Sequence, residues 1–452
     1  MTLIYLILIL IALVGVAWVF RAAGQQLTEN KPFFRDMPLG VAYGYVFAVV
    51  ALAASIWYYS QPIATATEPP APVPGVIFFR WAVQGFLAFG IAAYLFKLLG
   101  ENFGSEASKK LFRSMPLTAS FGVMIILTYA FVSIFAGQIS ILTVAGVGAF
   151  GVFINVMIRR NSSTDVQKFS ALLTLVTVAV FALMYVLGPL APYGQEEVLG
   201  AANIVPGGNP AVGGNPEYPL GTDQIGRDIL SRLIFGAQNT VGIAFVTTCL
   251  AFFIGGSLGF LAATLGGWLD QLLSRAVDAL MAIPALIFAL LLITIATAWA
   301  GSASWQVTIY MIFIIAVIDS TRVFRLSRAV GLNIVVMDYI EAAKLRGEGL
   351  GYLVFREMLP NAYAPLLAEF GLRFCFVFLT IASLSFLGVG IQPPLADWGT
   401  MVRDLSQFIN FAAFAPNVAV APLLAAGAIA LLTVAVNFVV DWMLHKSSGL
   451  KE

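Results

Sequence analysis

Long apolar runs set the terms on which this chain can fold. A helix needs about 20 consecutive apolar residues to cross the hydrocarbon core of a bilayer. The sequence supplies such runs repeatedly, from 2–20 near its start to 418–442 near its end. Only helices and closed barrels can span a membrane with every backbone N–H and C=O paired. A barrel would show alternating strands of about 10 residues instead. The expected fold is therefore all-α, a polytopic membrane protein. The runs place about eleven transmembrane helices at 2–20, 38–59, 76–98, 116–136, 139–158, 170–190, 239–263, 275–298, 305–320, 367–390 and 418–442.

Composition agrees: 60% of the 452 residues are hydrophobic and 10% charged, against about 25% charged in a soluble domain. A formal net charge of +1 offers no electrostatic footprint for nucleic acid. Cys249 and Cys375 both lie in apolar runs; they read as small residues packed between helices, not as a disulfide. The first basic residue, Arg21, follows the first apolar run, which favours a retained span over a cleaved signal peptide.

Basic residues orient the chain. With the N-terminus outside, the loops at 21–37, 99–115, 159–169, 264–274 and 321–366 and the C-terminal tail are cytoplasmic. Most of the Lys and Arg then fall on that side, as the positive-inside rule requires. The loop 61–75, "QPIATATEPPAPVPG", is Pro-rich and reads as a stiff connector on the opposite side. The loop 200–224 is rich in Gly, Pro and Asn and leads into "IGRDILSRLIFGAQ". There Ile225, Ile229, Leu230, Leu233 and Ile234 form an apolar face and Arg227, Asp228, Ser231 and Arg232 a polar one, the pattern of an interfacial helix.

One cytoplasmic stretch differs from its surroundings: "EAAKLRGEGLGYLVFREMLPN", from Glu341 to Asn361. Asp338 and Glu341 have capping-box spacing. Helix formers follow, and Gly347 or Gly349 is expected to end the helix in a left-handed cap. A second short helix carries Leu350, Leu353, Val354 and Met358 on one face, with Pro360 closing it. The spacing predicts a helix–turn–helix under the membrane.

The spacing Glu341-Ala342-Ala343, Gly347, then Leu359-Pro360 resembles the EAA motif of ATP-binding-cassette (ABC) importer permeases. "LGTDQIGRDILSRLIFGAQNT" (220–240) and "LSFLGVGIQPPLADWGTMV" (384–402) resemble signatures of that family's dipeptide/oligopeptide/nickel branch, its second permease subunit in particular. The residues carrying these two are Gly221, Thr222, Asp223, Gly226, Arg227 and Asp228, then Gly388, Gln392, Pro393, Trp398 and Gly399. The resemblance covers roughly 165–445. It implies a type I ABC importer permease core at 237–445, with its coupling loop at 338–361 docking on an ATPase. It implies a lead helix and extracytoplasmic segment at 161–236. Residues 1–160 would be an additional region of about five spans.

The implied partners are a second homologous permease subunit, two ABC ATPase subunits, an extracytoplasmic solute-binding protein and the lipid bilayer. The implied location is the bacterial inner (plasma) membrane, multi-pass. Peptides or a related small solute would be the cargo, with selectivity largely in the binding protein.

The residues themselves bound the chemistry. No GxxxxGK[ST] phosphate loop occurs, so the reading is of a transport subunit and not an enzyme. ATP and Mg would be held by the partner ATPases, with no cofactor on this chain. With His445 the one histidine, a Cys/His metal site and a His-dependent nucleophile are not expected. Asp319 and Asp441 are expected to reach water at span ends, Asp270 and Asp278 to flank a turn with Arg275, and Glu369 to pair with Arg373 along one helix. A stand-alone secondary transporter or channel is the alternative; it calls for ion-coupling residues and mirrored broken helices, and neither pattern is present in the sequence.

The Lys/Arg distribution predicts that reporter fusions at Ala66 and Asn161 give opposite sides of the membrane, with Asn161 cytoplasmic. The same side for both would mean a miscounted span.

Overall fold

Helix follows helix along the chain, because lipid leaves the backbone no other partner. The computed structural model describes residues 76–102, 106–161, 164–208, 213–300, 304–411 and 416–447, with a few isolated positions besides. The expected spans 2–20 and 38–59 and the connector 61–75 lie outside the described residues. The chain divides into two compact units, 1–95 and 96–452. Helix α1 (Val76–Asn102) begins in the first.

The second unit contains α2 (Glu106–Ser114), α3 (Leu117–Phe135), α4 (Ile141–Asn161) and α5 (Thr164–Leu187). An irregular segment then leads to α6 (Ile229–Gly236), which runs through a π-helical turn (Ala237–Val241) into α7 (Gly242–Leu265). Next come α8 (Gly267–Met281), α9 (Ala285–Ala300), α10 (Ser304–Val335), α11 (Asp338–Leu345) and the single turn α12 (Leu350–Tyr352). A second π-helical stretch (Leu353–Met358) joins α12 to α13 (Leu359–Phe386). Helices α14 (Trp398–Leu405) and α15 (Val420–Ser447) complete it. Among the described residues there is no strand, only isolated bridges. Among the described residues, six helical stretches are long and apolar enough to cross a membrane, seven if one bent pair is a single span.

The bent pair corrects one expectation. The run 275–298 is not one straight span: α8 and α9 meet at 88°. Pro284 sits at the break, where it lacks an N–H and cannot continue a helix without a lost bond. The loop expected from 321 is also helical at its start. Helix α10 continues to Val335, about 48 Å in all, so Arg322, Arg325 and Arg328 project from a helix. Asp270 pairs with Arg328 of α10 through both carboxylate oxygens, not with Arg275, and so ties α8 to α10. Asp441 is exposed, as expected, but Asp319 is buried in the bundle. Cys375 is buried and Cys249 exposed, both as free thiols.

Small residues set how closely the helices approach. A Cβ on Gly255 of α7 would collide with the Ser320 carbonyl of α10, and one on Gly259 would lie 2.7 Å from the Phe324 carbonyl. Backbone meets backbone there, as in small-xxx-small membrane contacts. Gly371 of α13 is pressed in the same way against Val440 of α15, and Gly122 of α3 against the Ala435 carbonyl. Two cores result. The larger gathers Ile293, Met311, Phe378, Ile381, Trp398 and Leu432; the smaller gathers Phe260, Ile334, Ile340, Leu353, Met358 and Leu366 at the other end of α13.

Helix α3 belongs to the larger core by its packing, although it lies within the region expected as an addition. Tyr129 donates to the Ala428 carbonyl (2.9 Å), and Ser133 to that of Ala237 (2.8 Å). The hairpin α4–α5 then leaves and returns to the same place. Leu190 N–H donates to the Phe135 carbonyl (3.1 Å) and Ala191 N–H to that of Ala136 (3.3 Å). The hairpin is clasped internally: the Asn155 amide donates to Thr174 Oγ1 (2.7 Å), and Ser170 Oγ donates to Asn155 Oδ1 (2.6 Å).

Because its ends adjoin, joining Gly137 directly to Gly188 should leave the membrane sidedness of residues beyond 190 unchanged. Fusions at the C-terminus of the deleted and full chains should report the same side; opposite sides would show that the hairpin is no self-contained excursion.

Candidate functional site

Two clusters stand at opposite ends of α13, about 42 Å apart by its 28 residues. The first is the stretch 338–358. Helix α11 begins after Met337, whose backbone is extended and which makes no side-chain cap. Asp338 is the first helical residue, so the expected capping box does not form; the Met337 carbonyl instead receives the N–H groups of Ile340 (2.9 Å) and Glu341 (3.3 Å).

The stop is at Gly347, with φ +77°. Its N–H donates to the Lys344 carbonyl (2.9 Å), and the Glu348 N–H reaches that of Ala343 (3.2 Å). That pair of bonds is a Schellman motif, which a left-handed glycine makes without strain. Nothing lies within 4 Å of a Cβ built there, so only backbone conformation demands glycine.

Pro360 does not close the second helix. The π-helical stretch ends with the Leu359 N–H donating to the Val354 carbonyl, a bond one residue longer than an α-helical one. Pro360 falls in the first turn of α13, where a missing N–H is tolerated, and helix continues to Phe386. The element is therefore continuous with α13 on one side. On the other, Val336 and Met337 alone separate it from α10. Its inner face, with Ile340, Ala343, Leu353, Val354 and Met358, is buried against Phe260, Ile334 and Leu366. Its outer face presents Glu341, Ala342, Arg346 and Gly347 to solvent, with Leu345 84% and Phe355 63% exposed. Leu359 and Pro360 are also exposed, whereas Ala343 is buried.

The second cluster joins the two other motifs. In the first motif, Gly221 (φ +80°) lies so close to the Ile204 carbonyl that a Cβ would collide. Thr222 Oγ1 donates to the Ala201 carbonyl (2.5 Å) and accepts from Ile204 N–H (3.0 Å). Asp223 Oδ1 accepts from the N–H groups of Ile225 and Arg227, and Oδ2 from Arg227 Nε (2.7 Å). Gly226 (φ +86°) turns the chain, and Asp228 caps α6 through Ser231 N–H (2.7 Å). The expected polar face of an interfacial helix does not face solvent: Asp228, Ser231 and Arg232 are buried, and so is Ile229 of the apolar face, while Ile225, before the helix, is exposed. Helix α6 is the end of the α7 span, and its polar side holds the irregular segment 190–228 in place.

In the second motif, Gly388 (φ +84°) ends α13 with the same Schellman bonding, to Ser385 (2.9 Å) and from Val389 to Leu384 (3.0 Å). Gln392 Nε2 donates to the Gly390 carbonyl (3.0 Å), and Pro393 is exposed in the turn. Trp398, 1% exposed, donates from Nε1 to the Leu233 carbonyl (2.9 Å) and meets Tyr129 and Phe378 edge-on. Gly236 and Gly399 make room: a Cβ on either would collide, with the Trp398 ring and with the Ala382 carbonyl respectively.

Sequence reading missed the residues that weld the motifs. Asp397, fully buried, accepts from Thr240 Oγ1 (2.8 Å) and from Thr400 N–H (2.8 Å). Burial pushes its carboxyl above the usual carboxylate range, and the hydrogen bonds from Thr400 and Thr240 oppose that shift. Asn239 donates to the Ala396 carbonyl (2.7 Å), and Gln195 Oε1 accepts from both Asn239 (3.1 Å) and Ala396 N–H (3.0 Å). The signal for Asp397 was present in Asp397-Trp398-Gly399-Thr400, an N-cap spacing. Nothing in sequence pairs it with Thr240. The arrangement holds no nucleophile–base pair, and among the described residues no group of three or more metal-ligating side chains occurs. It is a polar seal that fixes α14 against α6, α13 and α15.

A bundle of membrane-length helices, with one cluster at each end of α13, defines a polytopic membrane subunit. Residues 255–446 match the family described as binding-protein-dependent transport system inner membrane component. The chain is 35% identical to the dipeptide transport system permease protein DppC of Haemophilus influenzae over 249 residues, 54% of this chain and 81% of the relative. It is 34% identical to DppC of Escherichia coli over 256 residues, 56% and 80%. To the glutathione transport system permease protein GsiD of Pectobacterium atrosepticum it is 30% identical over 268 residues, 59% and 82%. The chain belongs to this family: it is a permease subunit of a binding-protein-dependent ABC importer.

Removing the Trp398 ring should cost about 3–5 kcal/mol, and Trp398→Phe, which loses mainly one hydrogen bond, about 1 kcal/mol. The check is the thermal half-life of the purified protein in detergent, with the order wild type, Phe, Ala. An unchanged half-life for Trp398→Ala would mean that the ring does not hold the seal.

Proposed function

We propose that this chain is one of two homologous permease subunits in an importer completed by two ATPases and a solute-binding protein. The cargo is proposed to be short peptides or a related small solute, in line with the dipeptide and glutathione systems that its relatives are named for. ATP and Mg stay on the partner ATPases. The N-terminus lies outside and the C-terminus in the cytoplasm, which puts the 338–358 element beside the motors and the Trp398 seal towards the binding protein. The permease core is proposed to run from 237 to 445 behind a lead segment at 161–236, with 1–160 as an added membrane region whose helix α3 packs against that core.

One observation carries the mechanism: the element runs from Leu350 as unbroken helix into α13 and begins two residues from α10. An ATPase that moves its exposed face must therefore move two spans. Glu341, Ala342, Gly347, Leu359 and Pro360 would meet the motor, while Ala343 anchors the element from beneath. Closure of the motors would then open the path outward, and their separation would open it inward.

Cysteines at Glu341 or Arg346 should cross-link to an ATPase subunit, and cysteines in the 213–224 loop should not. Glu341→Lys should assemble into the membrane but lose transport. Gly347→Ala should weaken the element by about 1–2 kcal/mol, the cost of a left-handed non-glycine residue, and Gly347→Asn by less. The purified chain alone should hydrolyse no ATP. Normal transport by Glu341→Lys together with absent cross-links would overturn the coupling role.

A further inference from the structure

Asp319 of α10 and Arg373 of α13 face each other inside the bundle, with side chains 7% and 11% exposed. Each also has an opposite charge one turn away on its own helix. Arg373 Nε lies 2.7 Å from Glu369 Oε1, and Arg322 Nη1 lies 3.5 Å from Asp319 Oδ1. Across the helices, Arg373 Nη1 stands 3.7 Å from Asp319 Oδ1. Asp319 Oδ2 and Arg373 Nε and Nη1, all buried, have no hydrogen-bond partner, so the contact with Glu369 is an ion pair without a hydrogen bond. The guanidinium also lies over the Phe376 ring, 4.7 Å from its centroid.

A formed guanidinium–carboxylate pair has an N···O distance of about 2.7–2.9 Å. The shortest contact here is within a helix, whereas Asp319 stands beyond that distance both from Arg322 on its own helix (3.5 Å) and from Arg373 across to α13 (3.7 Å). The four groups thus allow two pairings. In the first, Arg322 keeps Asp319 and Glu369 keeps Arg373, so each helix neutralises itself. In the second, Asp319 takes Arg373 and draws α10 and α13 together. The Arg322 side chain is 44% exposed and can turn to water, whereas Asp319 and Arg373 are buried. A buried charge left unpaired costs several kcal/mol, which favours one pairing or the other for these two and makes the exchange two-state in character.

Helices α10 and α13 are the two from which the 338–358 element hangs. We propose that Asp319, Arg322, Glu369 and Arg373 form an ion-pair exchange that ties the position of that element to the spacing of α10 and α13, and so act as positioning residues of the transport cycle. This rests on the coupling role proposed for the element.

The test uses the assembled importer in proteoliposomes, with its ATPases and loaded binding protein, and reads solute taken up per ATP hydrolysed. Amounts are normalised to complex recovered with both ATPases. Asp319→Asn removes the cross-helix partner at constant shape: hydrolysis should continue while uptake per ATP falls roughly tenfold. Glu369→Gln releases Arg373 to Asp319: hydrolysis and uptake should slow together, leaving their ratio unchanged. Arg373→Lys, which keeps the charge but loses the planar fork, should fall between wild type and Asp319→Asn in that ratio, and serves if Asp319→Asn does not assemble. A merely structural cluster would lower recovery of the complex without moving the ratio. An unchanged ratio in Asp319→Asn, or in Arg373→Lys if Asp319→Asn does not assemble, overturns the exchange. If cross-links from Arg346 to an ATPase persist in that case, the coupling role itself stands.

Discussion

Helices α7 and α10 touch without side chains between them at Gly255 and Gly259, and much of the molecule follows from that contact. Lipid gives apolar side chains no reason to leave it, so helices hold together by close packing and backbone proximity. With α7 fixed on α10, Phe260 of α7 and Ile334 of α10 fall in one small core. That core is completed by the inner face of the 338–358 element. The element is thus seated on the same pair of helices whose approach the glycines allow, and it continues without interruption into the third.

The two ends of α13 show the same solution to different tasks. At each end a positive-φ glycine, Gly347 or Gly388, stops a helix with a Schellman pair of hydrogen bonds. At the first end the glycine is exposed with open space around it, so the turn is free to face a partner. At the second the chain turns back into the protein, and Asp397, Thr240, Asn239 and Gln195 pair with one another. One end presents itself and the other closes upon itself. Between them runs a helix carrying Glu369 and Arg373, whose charges are nearly matched within the helix and incompletely matched across to Asp319.

The departures from sequence expectation share a cause. Pro360 is a helix terminator by local rules, yet a π-helical stretch before it shifts the bonding and lets the helix pass. The polar residues Asp228, Ser231 and Arg232 look like a solvent face, yet the segment 190–228 covers them and supplies their partners. Asp319 looks like a residue at a span end, yet α10 extends past it to Val335. In each case the segment around the residue, adjoining it for Pro360 and Asp319 and covering it for Asp228, Ser231 and Arg232, changed what the local pattern meant.

The sequence alone determined the class. Apolar run length dictates membrane-spanning helices because unpaired backbone is intolerable in lipid, and the three motifs carry enough spacing to mark the family. It also narrowed the helix stop to Gly347 or Gly349, since left-handed backbone favours glycine whatever surrounds it, and the structure chose Gly347. Only tertiary structure decided which side of α6 is inside, that α3 packs with the core, and that Thr240 and Asp397 meet across 157 residues. Those are outcomes of which surfaces touch. Periodicity records that a residue is apolar or polar, but the partner that buries it is chosen by packing between segments that the local pattern does not see.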